Sequence, residues 1–262
     1  MTAPGASTAS DRAASDRAAS DRAASERLLD RVRKLLAKAE ADGVTPEEAQ
    51  ALTAKAAELM AKYGLDRALL AAERPETDKP DNRIVTIYNP WARVQAHLLC
   101  GLAAELRCQC ILLPSKAGQR VHMFGYASDI ERTDVLYTSV LIQMWHGLAA
   151  APVPAWTDSP RAWRRSWLLG YAEAVTAKVG AAEQRVQQAA SQPGSSAADK
   201  TALVLADRSM VIRQNLTHAY PMTRKARVTY SGDGYGAGYA QGKRADIGTG
   251  RVGRRAARSL TA

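Results

Sequence analysis

LLDRVRKLLAKAEADGVTPEEAQALTAKAAELMAKYGLD, Leu28 to Asp66, carries two apolar stripes at helical spacing with a short polar break between them. In the first half Leu28, Leu29, Val32, Leu35, Leu36 and Ala39 recur every three or four residues, which sets them on one face of a helix with Ser25 available as its N-cap. In the second half Ala49, Leu52, Ala56, Leu59, Met60 and Tyr63 form a matching stripe. Thr45, Pro46 and Glu48 supply an N-cap, a first-turn proline and the acid of a capping box. Gly64 is expected to end the helix as its left-handed C′ residue. Two such stripes joined by a short break predict an antiparallel helical hairpin over residues 25–70.

Upstream, the motif ASDRA repeats through Ala9–Ala23 with a period of five residues. That period matches neither 3.6 nor 3.5, so no continuous apolar stripe forms, and residues 1–24 are expected to be a disordered low-complexity segment. Downstream, residues 71–83 contain the polar, proline-bearing ERPETDKPDN and are expected to be a linker. RIVTIY then alternates as a strand does, and WARVQAHLLCGLAAEL has helical spacing. CQCILL and RVHMFGY, joined by PSKAGQ, predict a β-hairpin. A long helix from about Ser128 to Leu148 is expected to pack on that sheet through Ile130, Val135, Leu136, Leu141, Ile142 and Trp145.

After the proline-rich APVPAWTDSP, the run RAWRRSWLLGYAEAVTAKVGAAEQRVQQAA predicts another long helix. TALVLA is expected to be a strand and DRSMVIRQNLTHAY a helix capped by Asp207. The fold class is therefore α+β: an N-terminal antiparallel helical hairpin followed by a small mixed α/β domain with a short sheet and long helices. That second domain is expected to span residues 84–248 around one shared core, with residues 249–262 forming a basic disordered tail.

The glycine segment GDGYGAGYAQGKRADIG, Gly232 to Gly248, invites comparison with a phosphate-cradling loop. A dinucleotide fingerprint needs Gly-x-Gly-x-x-Gly after a strand, followed by a helix and a second strand bearing an acid. Gly236, Gly238 and Gly242 give Gly-x-Gly-x-x-x-Gly instead, and Lys243 is followed by Arg244 rather than Ser or Thr. The expectation is a short helix from Tyr235 whose Gly238 and Gly242 share a face and admit close packing.

Charge is distributed unevenly. Residues 1–160 hold 19 Lys and Arg against 20 Asp and Glu, whereas residues 161–262 hold 17 against 6, so the first part is near neutral at −1 and the C-terminal part carries +11 of a net charge of +10. Such a surface suits a polyanion, because neutralised phosphates release counterions whatever the base sequence. The residues expected to meet phosphates are Arg161, Arg164, Arg165, Arg224, Lys225, Arg227, Lys243, Arg244, Arg251, Arg254, Arg255 and Arg258. Trp163, Trp167 and Tyr171 recur every four residues beside the first three. They are read as a core face in preference to a platform for stacked bases.

Three cysteines, an odd number, fit reduced thiols and a cytoplasmic setting. His97, Cys100, Cys108, Cys110 and His122 lack the paired knuckles of a structural zinc site, so no metal is expected. No His-Glu-x-x-His or Gly-x-Ser-x-Gly occurs, and no catalytic residue or cofactor is expected. No run of about 18 apolar residues suggests a membrane span.

Leu28 to Asp66 resembles the domain of unknown function 2786 family, whose pattern is a helix ending in KLLAKAE, a Thr-x-Glu-Glu-Ala start and a LMAKYGL finish. FGYASDIERTDVLY, RRSWLLGYAEAVTAKV and GYGAGYAQGKRADIG resemble the less regular domain that follows this hairpin in bacterial, phage and mobile-element proteins. The resemblance implies an uncharacterised protein with no catalytic residues to carry over. The reading in front is a non-enzymatic, nucleic-acid-associated protein that contacts DNA or RNA through its basic C-terminal half. The alternatives are a protein-interaction adaptor, docking a partner or a second copy through residues 26–66, and an enzyme whose site is assembled from residues distant in sequence.

Overall fold

A computed structural model of the chain describes residues 6–39, 46–190, 196–224 and 231–245. Three strands, β1 (Pro80–Tyr88), β2 (Gln109–Leu113) and β3 (Gly118–Tyr126), form an antiparallel sheet in the order β1-β3-β2. Their register sets Val85 opposite Val121 and Cys110 opposite Met123, so these apolar side chains share the inner face. Helix α3 (Ala92–Glu105) crosses that face through Ala92, Ala96, Leu99 and Ala103. Gly118 is required where β3 meets β1, since a Cβ there would overlap the Ile87 carbonyl oxygen.

Four further helices complete the core: α4 (Ala127–Ala150), α5 (Pro160–Ala190), α6 (Ser196–Ala219) and α7 (Tyr235–Arg244). Leu98 and Leu102 of α3, Leu136 and Met144 of α4, and Trp163, Trp167, Tyr171 and Val175 of α5 bury one another in a single cluster. The basic half thus shares its core with the sheet-bearing half. The N-terminal pair is α1 (Ala6–Ala39) and α2 (Pro46–Glu73). Leu29, Val32 and Leu36 of α1 are buried against Ala56, Met60 and Tyr63 of α2, the stripes read from the sequence. Among the described residues no helix is long and apolar enough to cross a membrane.

Several boundaries differ from the sequence reading. Helix α1 starts at Ala6 and so includes the ASDRA repeat. Alanine and arginine are strong helix formers, and adding residues to an existing helix is easy once the Leu-rich part nucleates it. Helix α2 passes through Gly64 and ends at Glu73. Gly64 is there for space, since a Cβ would overlap the guanidinium of Arg132. The expected linker shrinks to a 3-10 turn at Pro75–Thr77, and β1 begins at Pro80.

TALVLA is helical, the early part of α6, and Asp207 lies inside that helix instead of capping it. Thr201, Arg208 and Ile212 are its buried face, and a buried arginine hides the helical period from a count of apolar residues. In α4, Val135 packs on the α1/α2 cluster and Ile142 is exposed. Thr45, Ser191 to Ser195 and the tail from Asp246 onward lie outside the described residues.

Candidate nucleic-acid interface

The glycines of α7 lie along the backbone of α5. A Cβ at Gly234, Gly238 or Gly242 would collide with the carbonyl oxygen of Trp163, Trp167 or Tyr171 respectively, and one at Gly170 would collide with Tyr235 O. The two helices therefore touch backbone to backbone. Ser166 reinforces the contact, accepting the Gly234 N–H at 3.0 Å and donating to Trp163 O at 3.0 Å. The Tyr235 hydroxyl donates to Glu173 Oε2 at 2.5 Å, and that bond pushes the phenol up to about 12. The glycine segment is a packing device, as its spacing suggested.

The same geometry decides the aromatic stripe. Trp163, Trp167 and Tyr171 are buried, and the Trp167 and Tyr171 rings stack at 5.5 Å inside the core. No base can reach them. Arg161 and Arg164 are exposed on the outer face of the first turns of α5, with Arg165 half-buried. Arg161 lies 5.9 Å from the centroid of Trp91. At the far end of α7, Lys243 and Arg244 are exposed, Lys243 standing 5.0 Å from the Tyr239 ring. Arg224 is exposed after α6. None of these six cations has an acidic partner among the described residues. Lys225, Arg227, Arg251, Arg254, Arg255 and Arg258 lie outside those residues.

The structure thus brings the predicted cations into separate groups. One is at the start of α5, a second at the end of α7 and a third at Arg224. Helix α7 runs alongside α5 from Trp163 to Tyr171, and its ten residues, about 15 Å of helix, lie along the axis between the first two groups.

A second charged constellation was not expected from the sequence. Asp78 accepts the Ser128 hydroxyl at 2.7 Å, the Ser128 N–H at 3.1 Å and Arg208 Nη2 at 2.7 Å. Arg208 also reaches Asp129 at 3.2 Å, and its guanidinium lies 3.5 Å above the Tyr126 ring. Arg132 donates to Glu183 Oε1 at 2.8 Å, and Arg107 pairs with Glu183 Oε2 at 3.2 Å. Three guanidiniums thus balance three carboxylates in the interior, as buried charge requires.

Arg107 shows how strongly the backbone is held there. It occupies φ 67, the C′ position after α3 that glycine usually takes. Its N–H bonds to Ala104 O and the next N–H, of Cys108, bonds to Ala103 O. Only Asp129 and Arg132, three apart on α4, gave a local hint of this network. Arg208 belongs to the basic half but is committed here and is unavailable to phosphate.

A cavity of about 650 Å³ opens between α3, β2 and residues 220–224, with Arg93, His97, Cys100, Cys110, Tyr220 and Arg224 among its walls. Cys100 and Cys110 both line this cavity and both pack against the cluster of Ile87, Leu99 and Val121. His97 is held below its ordinary value by burial, against the pull of Glu173 4.0 Å away. Cys108 is apart from the pair, 3.9 Å from the Thr133 hydroxyl. His122 bonds to Tyr220 at 2.8 Å and to Asn82 at 2.9 Å. Among the described residues no three His, Cys, Asp or Glu side chains are grouped to hold a metal ion.

Residues 27–67 match the model of a family described as a protein of unknown function, DUF2786. The match runs from Arg27 in α1 to Arg67 in α2 and bears out the resemblance read from Leu28 to Asp66. No curated protein and no solved structure matches the chain.

Proposed function

We propose that this protein associates with nucleic acid, holding phosphates through the basic outer surface of α5 and α7 and the segment that follows α7. The observation that carries this reading is six exposed or half-buried cations with no acidic partner among the described residues, set against the interior pairing of Arg107, Arg132 and Arg208. Backbone contact between α5 and α7 fixes two of the groups on a rigid support, and a span of about 15 Å covers roughly four nucleotide steps of one strand. Arg251, Arg254, Arg255 and Arg258 extend the charge beyond α7. Contacts of this kind position a protein without reading sequence, so the reading includes no base specificity and no chemical step. We place the protein in the cytoplasm, in the bacterial, phage or plasmid setting that the resemblance of the segments following the hairpin implies.

The test is fluorescence anisotropy with labelled duplex DNA, single-stranded DNA and RNA over a salt series. Binding should weaken steeply with salt, and the slope should flatten when Arg251, Arg254, Arg255 and Arg258 become Ser. Affinity no greater than that of a size-matched neutral protein at low salt would end this reading.

A second reading is supported by a groove of about 340 Å³ between α1 and α4, lined by Leu36, Val135 and the exposed Ile142. There the α1/α2 pair would dock a partner helix or a second copy. Ile142→Glu should abolish such an association without unfolding the protein, which light scattering and circular dichroism would separate.

A further inference from the structure

We propose that Cys100 and Cys110 form a redox-active dithiol that exchanges with small anionic disulfides entering the cavity between α3, β2 and residues 220–224. Cys100 comes from α3 and Cys110 from the edge strand β2, and both line that cavity. Both pack against the cluster of Ile87, Leu99 and Val121, so the helix and the strand hold both thiols at one cavity. A disulfide of about 2.05 Å requires the two sulfurs to close across that shared wall.

The two thiols are unequal. The hydrogen bond from Cys110 holds Cys100 below its ordinary value, and the same bond, with burial, raises Cys110. Cys100 is therefore the attacking sulfur and Cys110 the resolving one. Cys108 stands two residues from Cys110 but lies buried among Ala103, Met123 and Ile130, its thiol pushed up to about 12 by burial. It serves as an internal control.

The cavity selects the co-reactant. Its volume falls in the range of small-molecule sites, roughly 300–1,000 Å³. Apolar residues of β2 form one wall, and Arg93 and Arg224, both exposed, contribute cations to it. A disulfide bearing carboxylates would set these against the guanidiniums and its sulfurs against Cys100.

In the first step the Cys100 thiolate attacks one sulfur of RS–SR. The old S–S bond breaks, RS⁻ leaves and takes up the proton Cys100 released, and a mixed disulfide remains on Cys100. Cys110 then attacks the Cys100 sulfur and passes its proton to the second departing thiolate. The protein is oxidised by two electrons as the small disulfide becomes two thiols, and excess thiol reverses the sequence. This inference does not rest on nucleic-acid binding.

The test is incubation of the full chain with oxidised glutathione, followed by intact-mass measurement and non-reducing peptide mapping. The expected product is a Cys100–Cys110 disulfide with Cys108 still free for alkylation. Cys110→Ser should trap one glutathione on Cys100, and Cys100→Ser should leave Cys110 unmodified over the same period. Arg93→Ser with Arg224→Ser should slow the reaction several-fold for oxidised glutathione and leave the neutral hydroxyethyl disulfide unaffected. Circular dichroism checks that each variant folds. The wild-type map decides the matter even if a variant does not fold: no linkage, or equal modification of all three cysteines, overturns the proposal.

Discussion

Arg132 on α4 and Arg164 on α5 are the same residue on helices packed in one core, yet they do opposite work. Arg132 is fully buried and bonded to Glu183 in a network that also holds Arg107, Arg208, Asp78 and Asp129. Arg164 is exposed and has no acidic partner among the described residues. Inside, a guanidinium is stabilising only when a carboxylate compensates its lost hydration. Outside, water already solvates it, and the charge remains available to a partner. What separates an arginine that holds the fold from one that meets a ligand is the distance to a carboxylate far away in sequence.

The largest effect should come from breaking the interior set. Arg132→Met removes one of the three interior cations, leaving Glu183 to Arg107 and Asp129 to Arg107 and Arg208, and the loss of its 2.8 Å bond to Glu183 should cost about 3 kcal/mol in urea unfolding. Arg132→Met combined with Glu183→Leu should recover part of that loss, and a strictly additive double mutant would show that the pair is not coupled.

Next comes the support under the outer set. Gly238→Ala drives a methyl group into the Trp167 carbonyl oxygen and should cost about 1–3 kcal/mol. Gly236→Ala, two residues earlier on the same helix, meets nothing within 4 Å. It should raise the thermal midpoint, with a gain of up to about 1 kcal/mol. Equal effects at the two positions would refute the backbone contact between α5 and α7.

Changing Arg161, Arg164 and Arg165 to Ser should alter stability by no more than about 0.5 kcal/mol per site. If each meets one duplex phosphate, each change should flatten the log–log salt dependence of DNA binding by about 0.9. A large loss of stability would move these residues into the same class as Arg132.

The smallest effect is on pH dependence. Burial holds His97 below its ordinary value of 6.5 in the folded protein. As pH falls through that value the unfolded chain takes up its proton first, so stability decreases toward acid and is unaffected above the His range. His97→Gln should reduce the fall in thermal midpoint between about pH 7 and pH 5. His122, also lowered by burial and by Arg120, would account for part of the slope that remains.

Much of the fold was legible because it depends on local period. The stripes of Leu29, Val32, Leu36, Ala56, Met60 and Tyr63, the β2–β3 hairpin and the close-packing face of Gly238 and Gly242 all follow from spacing along a few turns. The errors share a cause. Gly64 looked like a helix end because its missing Cβ serves Arg132, a residue from another helix. TALVLA looked like a strand because the buried face of α6 is completed by Arg208 and its distant carboxylates. The cations of the candidate interface were legible by composition, but their division into groups at the two ends of α7 was not.

By itself, then, the sequence determined the helical periods, the short sheet, the likeness of residues 27–67 to the DUF2786 model and the excess of positive charge toward the C-terminus. Each of these is a property of neighbours in the chain or a sum over them. Tertiary structure alone decided which arginines are buried, that Cys100 and Cys110 line one cavity while Cys108 does not, and that Trp163, Trp167 and Tyr171 face inward. These depend on contacts between segments separated by tens of residues, where a difference of a few ångströms decides whether a charge is compensated, a thiol is paired or a ring is covered.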